Sequence, residues 1–329
     1  MIDPTEQWPP LPWADWRETA ITLQLWTQIV GKVRLSLTPW LNHSWQVPLY
    51  VSARGLATSP IPAGGELLEI EFDLIAERLV CRTSRGDQRK LPLTPQTVAT
   101  FYERLLALLA ALGIDVTIDP RPNEIADPIA FPEDSTHCSY DAAAARRFWR
   151  ALIQADRLFK LFRTGFLGKA SPVHFFWGSF DLATTRFSGR RAPLHPGGVP
   201  GLPDRVTREA YSHEVSSAGF WPGNDSFPQA AFYSYAYPEP PGFCDRPLTP
   251  GAAYDPTLGE FILPYETVRR APSPDALLLD FLTTSYAAAA DSAGWDRAAL
   301  DCELGVPGVP RRVTDPAGVA ARGAAITGA

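Results

Sequence analysis

The sequence predicts an α+β fold built from two pseudo-repeated halves, each a mainly antiparallel sheet packed with helices. The first observation is an order of patterns: a helical apolar period over residues 21–37, alternating strand patterns over 48–83, and a second helix ending at Gly113. The second observation is that this order returns about 126 residues later, where the Leu-Ala-Thr triplet of 56–58 recurs at 182–184. A repeated order of elements is typical of a tandem duplication.

The predicted elements divide the chain into four parts. Residues 1–16 are rich in Pro and Trp, which disfavours a regular helix and predicts an extended N-terminal strap over the body. The first half covers 17–125, and the second half covers 126–303, beginning with a helix capped by Asp141. Residues 304–329 contain no aromatic side chain and many Ala and Gly, and they predict a flexible tail.

Residues 67–83 predict a β-hairpin with Ala76 and Glu77 as its two-residue turn. One face of this hairpin is apolar and the other is charged, so the register is set by the pattern. The predicted pairs are Leu74 with Leu79, Phe72 with Cys81, and Glu71 with Arg82. The acidic residues Glu69, Glu71 and Asp73 are then expected on a solvated face.

The second half is longer than the first, by 53 residues between Thr184 and Ser273. Much of this excess is irregular and rich in Pro and Gly. Long ordered loops on a sheet are common places for function, so we expect the functional site in this half. The site is expected between the strands of His174 and His213, under a roof formed by residues 195–203.

Composition and charge limit the classes of function. The chain has 329 residues, 45% of them hydrophobic, and a formal net charge of −6, which argues against disorder and against a broad nucleic-acid-binding surface. No apolar run approaches the ~20 residues of a membrane span, and the N-terminus lacks a secretory signal, so a cytoplasmic location is expected. Four widely spaced cysteines without a CxxC pair indicate neither a zinc ribbon nor a disulfide framework.

His174, His213 and Glu214 are the candidate catalytic residues. Adjacent residues of a strand point to opposite faces, so His213 and Glu214 each need a partner from another strand. His174 beside one of them, next to aromatic side chains, would form an acid/base pair with shifted pKa values. The same three side chains suit zinc or iron, although their spacing adds no support, and metal and cofactor stay unknown. The alternative is that each histidine is a hydrogen-bonded core or loop residue.

A second set of residues is expected to bind a substrate. Tyrosines alternate over residues 233–237 and form a stripe on one strand face, which suits a flat or apolar ligand or, alternatively, simple sheet packing. Arginine side chains suit a carboxylate or phosphate, or an ordinary ion pair. The candidate substrate-binding residues are Arg54, Trp177, Arg186, Trp221 and Tyr235.

Three stretches carry a resemblance to a known family. Residues 47–56, 171–182 and 211–223 resemble segments of an uncharacterised bacterial protein family, a domain of unknown function. The resemblance covers about residues 13–300 and implies a single full-length bacterial domain, with the tail after about residue 303 outside it. It supplies no substrate, cofactor or catalytic residue.

Three functions stay open at this point. The first is a bacterial small-molecule enzyme with a His/Glu site in an aromatic-lined cleft of the second half. The second is a noncatalytic metabolite-binding module, with the site either in that half or at the junction of the two halves, which would include Arg54. The third is a structural protein that binds a partner through its N-terminal strap and tail. A small-molecule ligand is expected, with neither nucleic acid nor membrane as a partner, and the sequence does not set the oligomeric state.

Overall fold

The structure, a computed structural model, describes residues 7–311 and places them in two six-stranded antiparallel sheets packed against helices. This arrangement confirms the predicted α+β class in two halves. The helices are α1 (Arg17–Leu37), α2 (Val98–Ala111), α3 (Ala142–Thr164), α4 (Asp204–Ala210), α5 (Tyr265–Arg269), α6 (Pro274–Ser292) and α7 (Arg297–Leu300). Strands of the first sheet are β1 (Tyr50–Val51), β2 (Gly55–Ala57), β3 (Ile61–Ala63), β4 (Glu66–Asp73), β5 (Arg78–Thr83) and β6 (Gln88–Pro92). Strands of the second sheet are β7 (His174–Phe176), β8 (Asp181–Arg191), β9 (His213–Trp221), β10 (Ala231–Tyr237), β11 (Ala253–Asp255) and β12 (Glu260–Pro264).

Both sheets are antiparallel meanders that follow the chain closely. The first sheet has the order β1-β2-β4-β5-β6, with β3 paired to β4, and the second has the order β7-β8-β9-β10-β12-β11. The first strands of the two sheets meet, because Leu49 and Phe175 exchange backbone hydrogen bonds of 2.8 and 2.7 Å. Within the described part of the chain, no helix combines the length and apolar character needed to span a membrane.

The N-terminal residues that the structure describes lie against the body. Trp8 packs on Phe232 and Tyr265, with ring centroids 6.3 and 5.9 Å away, and Trp16 packs on Phe148 at 4.9 Å. These indoles are buried because an exposed tryptophan forfeits a large hydrophobic gain. Of the predicted strap, residues 1–6 lie outside the described residues, and of the predicted tail, so do residues 312–329.

The hairpin forms, but the predicted register is wrong by two residues. Asp73 pairs with Arg78 and Phe72 with Leu79, so residues 74–77 form a four-residue loop. The reason is a side-chain cap, since Asp73 Oδ1 accepts hydrogen bonds from the N–H groups of Ile75 and Ala76 at 3.2 and 2.9 Å. A shift of two residues keeps each side chain on its predicted face.

The acidic face of the hairpin is less solvated than predicted. Glu71 and Asp73 are buried, whereas the Glu69 side chain keeps 42% of its accessible surface. Arg82 donates to Glu71 at 3.1 Å and Arg54 donates to Asp73 at 2.8 Å. Arginine partners explain how two carboxylates are tolerated away from water in this sheet.

Candidate functional site

A cavity of about 1490 Å³ lies over one face of the second sheet. Helix α1, the loop around Trp45, the connection near Glu124 and residues 199–211 enclose it from the other side. Ligand sites are typically concave spaces of this kind, with apolar walls and a few positioned polar groups. The cavity is therefore the candidate functional site.

Small side chains form the floor of the cavity. Alternate residues of β8 and β9 lie on this side of the sheet: Ala183, Thr185 and Ser217 line the cavity, and Gly219 lies on the same face. Neighbouring strands place Ala183 beside Gly219 and Thr185 beside Ser217, whose hydroxyl oxygens are 2.9 Å apart. A row of small residues on one sheet face leaves space for another group to approach the backbone.

Two tyrosines of β10 lie across this floor. Tyr233 pairs with Gly219, and its ring occupies the place of the missing side chain, since a Cβ there would lie 2.2 Å from the Tyr233 Cζ. This position lets the Tyr233 hydroxyl donate to Asp181 Oδ2, while Ser179 donates to the other carboxylate oxygen. Tyr235 lies parallel to Tyr233, with centroids 6.1 Å apart.

Tyr235 also connects the floor to the roof. Its hydroxyl is 2.8 Å from the hydroxyl of Tyr211, which follows helix α4. Burial raises the pKa of Tyr211 to about 12 and raises the pKa of Tyr235 well above its ordinary value. Both phenols therefore stay protonated at neutral pH and serve as hydrogen-bond donors and acceptors.

Three carboxylates lie in the same cavity, and we call Glu124, Asp181 and Glu260 the carboxylate cluster. Enclosure by protein raises the pKa of Glu124 and of Glu260 to about 7, and the charge of Asp181 adds to both effects. Burial also raises the pKa of Asp181, against the opposing effect of its two hydroxyl donors. Glu124 is an exposed residue whose carboxylate lines the cavity, so a ligand can reach it.

The position of Glu124 is set by two contacts of its neighbour Asn123. Gln28, buried in α1, exchanges two hydrogen bonds with the backbone of Asn123, at 2.7 and 2.9 Å. Asn123 Nδ2 also donates to the carbonyl of Gly201 in the roof at 2.9 Å. Glu124 itself has a φ of +55°, which few non-glycine residues adopt and which the surrounding contacts must hold.

Among residues 7–311, no Lys, Arg or His side chain lies within ion-pairing distance of the carboxylate cluster. Two of the three Lys and Arg residues in the cavity wall pair elsewhere, Arg17 with Asp225 and Lys32 with Asp119, and the third, Arg205, makes no ion pair with the carboxylate cluster. Enclosed carboxylates without a cationic partner are costly, and a positively charged ligand would relieve that cost. Tyrosine and tryptophan faces on the walls add cation–π attraction for such a ligand.

The roof of the cavity comes from the long segment between β8 and β9. Val199, Pro200, Leu202 and Pro203 line the cavity from this side. His195 stacks on Tyr211 and on Tyr237, with ring centroids 4.9 Å away in both cases. The segment is therefore fastened to the same tyrosine stripe that forms the floor.

Four of the eight residues predicted as site residues line this cavity, namely His174, Trp177, Trp221 and Tyr235. Trp177 is positioned by the glycine of α1, because a Cβ on Gly31 would lie 2.2 Å from its indole, and by a 2.9 Å hydrogen bond to Val47 O. His174 is 1% exposed, its Nδ1 has no partner among the described residues, and burial lowers its pKa to about 3. His174 is thus neutral at physiological pH.

The structure does not bring His174 and His213 together. His174 pairs with Ala183 near the start of β8, whereas His213 pairs with Arg191 at its end. That separation is roughly 20 Å or more along the strand, so the predicted acid/base pair does not form.

Glu214 points away from the cavity. It accepts hydrogen bonds from Ser188 at 2.8 Å and from Arg190 at 2.9 Å. In the described part of the chain, no group of three or more His, Cys, Asp or Glu side chains is arranged to hold a metal ion. The structure does not bring together the three side chains suggested for a metal site, His174, His213 and Glu214.

The two candidate arginines also lie elsewhere. Arg186 is on the opposite face of the second sheet, buried with its guanidinium 3.5 Å from the ring centroid of Phe162 and 4.3 Å from that of Tyr286. Arg54 lies in the bend between β1 and β2 of the first half, 2.8 Å from Asp73. Strand alternation explains the first case, because Arg186 is one residue out of phase with the cavity-facing Thr185.

Sequence reasoning missed the carboxylate cluster and Tyr211, and it included Tyr233 only as a member of the tyrosine stripe. Asp181 and Glu260 belong to strands and Glu124 to an irregular connection, so no spacing relates the three. One signal was present, because residues 216–219 of β9 are Ser, Ser, Ala and Gly, a run of small residues inside a strand. Small residues in a strand often mark a place where another group approaches the sheet closely.

The fold and the cavity define an α+β protein of two sheet halves with a cleft lined by tyrosines and carboxylates. Residues 8–302 match the model of a family of unknown function, DUF5996, and the chain belongs to that family. Neither a curated protein nor a solved structure matches the chain.

Proposed function

We propose that the protein binds a small organic cation in the cavity over the second sheet. The ligand class is an amine or guanidinium compound with an apolar or aromatic part. The observation that carries this proposal is the carboxylate cluster, three acidic side chains that line one cavity without a cationic partner among the described residues. Trp177, Trp221 and Tyr235 would contact the apolar part of the ligand.

A second candidate function is acid–base catalysis on the same ligand. Glu124 and Glu260 are favoured for it because their pKa values of about 7 lie near the pH at which a carboxyl group both gives and takes protons. This proposal keeps the small-molecule enzyme expected from the sequence but transfers its chemistry from His213 and Glu214 to the carboxylate cluster. His174 would contribute a neutral hydrogen-bonding group at the cavity wall.

Calorimetry with probes of opposite charge tests the binding proposal. Phenethylamine carries an ammonium group and an aromatic ring, and phenylacetate is an anion of similar size. At pH 8 we expect binding of phenethylamine and none of phenylacetate. The double variant Glu124→Gln/Glu260→Gln should lower the affinity for phenethylamine by at least about tenfold, because each change removes a charge–charge contact.

Glu214→Gln is the matched control, since Glu214 belongs to the same sheet, pairs with Arg190 and lies outside the cavity. Its amine affinity should equal that of the unmodified protein. Equal affinity for the anion and the amine, or loss of binding in the Glu214 variant alone, would contradict the proposal. Recovery of the bound amine in altered form would favour the catalytic version, and recovery unchanged would favour binding alone.

The proposal also includes a cellular location. A small cation as ligand is consistent with the cytoplasmic location, the bacterial origin and the lack of nucleic-acid or membrane partners expected from the sequence. Fractionation of cells that express the tagged protein would test the location directly.

A further inference from the structure

A second cluster of reactive side chains lies at the end of the cavity away from Asp181. It consists of Lys169, His43 and His213, beside the rings of Trp45 and Phe187. Lys169 continues the edge of the second sheet, since its carbonyl accepts a hydrogen bond from Phe187 N at 3.0 Å. His43, Trp45 and Phe187 all line the cavity. The Lys169 amine therefore lies at the cavity margin.

The amine of Lys169 faces an imidazole nitrogen instead of a carboxylate. Its Nζ is 2.6 Å from His43 Nε2, and it lies 5.2 Å and 4.8 Å from the ring centroids of Trp45 and Phe187. No Asp or Glu among residues 7–311 is within ion-pairing distance of it. Partial burial lowers the pKa of Lys169, which raises the fraction of free amine at neutral pH.

His43 is held as a hydrogen-bond acceptor for this amine. Its Nδ1 lies 2.9 Å from the carbonyl oxygen of Ala210, so the ring proton is on Nδ1 and the lone pair of Nε2 points at Lys169. Glu209 accepts the His43 backbone N–H with both carboxylate oxygens, at 2.9 and 2.7 Å. That contact fixes the loop at the left-handed φ of +60° found at His43.

The charged and titratable groups around Lys169 are few. Glu209 is engaged with the His43 backbone, and the His213 ring is 6.2 Å from the His43 ring with its Nδ1 3.0 Å from the Ser212 hydroxyl. Burial lowers the pKa of His43, and the charge of Lys169 lowers it further. Lys169 nevertheless remains exposed enough for a small molecule to reach it.

We propose that Lys169 forms a reversible imine with the aldehyde or ketone carbonyl of a small molecule. The amine nitrogen attacks the carbonyl carbon, and His43 Nε2 takes one proton from the nitrogen and passes it to the carbonyl oxygen. The resulting carbinolamine then loses its hydroxyl together with the remaining N–H proton as water while the C=N bond forms. The products are one imine and one water, so the step needs no oxidant, reductant or metal. This site goes beyond the proposed cation binding and does not depend on it.

Reductive trapping on the full-length protein tests the proposal. The protein is incubated with propanal and cyanoborohydride at pH 7.5, and peptide mass spectrometry follows the modification of each lysine with time. The chain has four lysines, which makes assignment direct. Lys169 should be modified several-fold faster than Lys90, which is exposed on β6, and Lys160, which pairs with Asp156 at 2.6 Å. Modification of Lys169 no faster than Lys90 overturns the proposal.

A variant of His43 tests whether fast modification of Lys169 depends on His43 or only on the exposure of the lysine. His43→Gln should bring the rate at Lys169 down toward that of Lys90, provided that circular dichroism shows an unchanged fold. An unchanged rate in this folded variant would contradict the role of His43. The double variant Glu124→Gln/Glu260→Gln should keep the full rate at Lys169, so failure of cation binding and failure of imine formation are read independently.

Discussion

Leu49 and Phe175 occupy equivalent positions in the two halves, 126 residues apart, and they pair with each other. Each donates its backbone N–H to the carbonyl of the other. A residue that meets its own counterpart lies on the axis of a two-fold arrangement, as in symmetric dimers. The 126-residue spacing of the sequence pattern and the junction of the two sheets thus coincide at this pair of residues.

Contacts of the first helix in each half follow the same symmetry. In α1, Gln24 donates to the carbonyl of Gly178 at 2.7 Å, and in α3, Trp149 donates to the carbonyl of Ser52 at 3.2 Å. Ser52 and Gly178 are again 126 residues apart. Each helix thus contacts the corresponding turn of the other half, which is the reciprocal exchange that two-fold-related units make.

A shared junction predicts that the two halves unfold together. The amides of Leu49 and Phe175 should belong to the slowest-exchanging class in native-state hydrogen exchange, together with amides of the central strands β4 and β9. Mass spectrometry of peptides from both halves at increasing urea concentration measures this. If second-half peptides exchanged their amide hydrogens at urea concentrations at which first-half peptides stay protected, the two halves would unfold independently and the prediction would be wrong.

The fold could be predicted because its determinants are local. Apolar periodicity and the Asp141 cap act within a few residues, and Asp141 accepts a 2.8 Å hydrogen bond from Ala143 N as expected. The hairpin register could not be predicted, because the Asp73 cap selects a four-residue loop among alternatives with the same apolar faces. A register shift of two residues keeps each residue on the same face, so the alternating pattern is equally compatible with both registers.

The cavity was only partly predictable. Tyr235, Trp177 and Trp221 were accessible to pattern reasoning because aromatic side chains on a strand face indicate a packed or ligand-binding surface. Glu124 was not, because residues distant in sequence, Gln28 and Gly201, position its connection. Hydrogen bonds between residues far apart in the sequence produce no regular spacing, so one sequence alone does not indicate them.

Gly219→Ala should disrupt the cavity floor. The new methyl group would lie against the Tyr233 ring and force it away from Asp181, because a Cβ at Gly219 is 2.2 Å from Tyr233 Cζ. We expect a loss of about 1–3 kcal/mol in the free energy of unfolding, the usual cost of overpacking. Urea denaturation measures it. Ser217→Ala, two residues earlier on the same face, should cost about 1 kcal/mol or less, and equal losses in both variants would argue against the Tyr233 placement.

Loosening the roof should leave the sheet intact. Asn123→Ala removes the hydrogen bond to Gly201, and His195→Ala removes the stack on Tyr211. Because both contacts fasten the segment between β8 and β9, trypsin should cleave at Arg205 several-fold faster in either variant. Gln96→Ala, which removes a 2.9 Å hydrogen bond to Pro92 in the first half, is the control and should not change the cleavage rate at Arg205.

Arg186→Ala should affect stability and not ligand binding. The guanidinium is buried against Phe162 and Tyr286 on the face opposite the cavity, and burial lowers the pKa of Arg186 to about 10. Truncation leaves a void between these rings, with an expected loss of about 2–4 kcal/mol in the free energy of unfolding. Thermal unfolding and phenethylamine calorimetry measure the two effects. A stable variant that has lost amine binding would restore the substrate-binding role predicted from the sequence.

The carboxylate cluster predicts a contribution to stability that is present at pH 5 and lost by pH 8, opposite in sign to that of the buried neutral His174. The folded-state pKa of Glu124 and of Glu260 is about 7, above the ordinary value of 4.5 that applies when the chain is unfolded. Between these values the folded state binds more protons than the unfolded state, so this contribution to stability falls as pH rises from about 4.5 through 7. Glu124→Gln/Glu260→Gln cannot ionise at these positions and should lose fewer degrees of melting temperature between pH 5 and pH 8 than the unmodified protein. Glu214→Gln should show the same pH dependence as the unmodified protein. An identical pH dependence in all three proteins would rule out the carboxylate cluster as the cause.

Phenethylamine should bind more tightly at pH 8 than at pH 5, since ionised carboxylates attract the ammonium group. Its binding should therefore restore part of the melting temperature lost at pH 8.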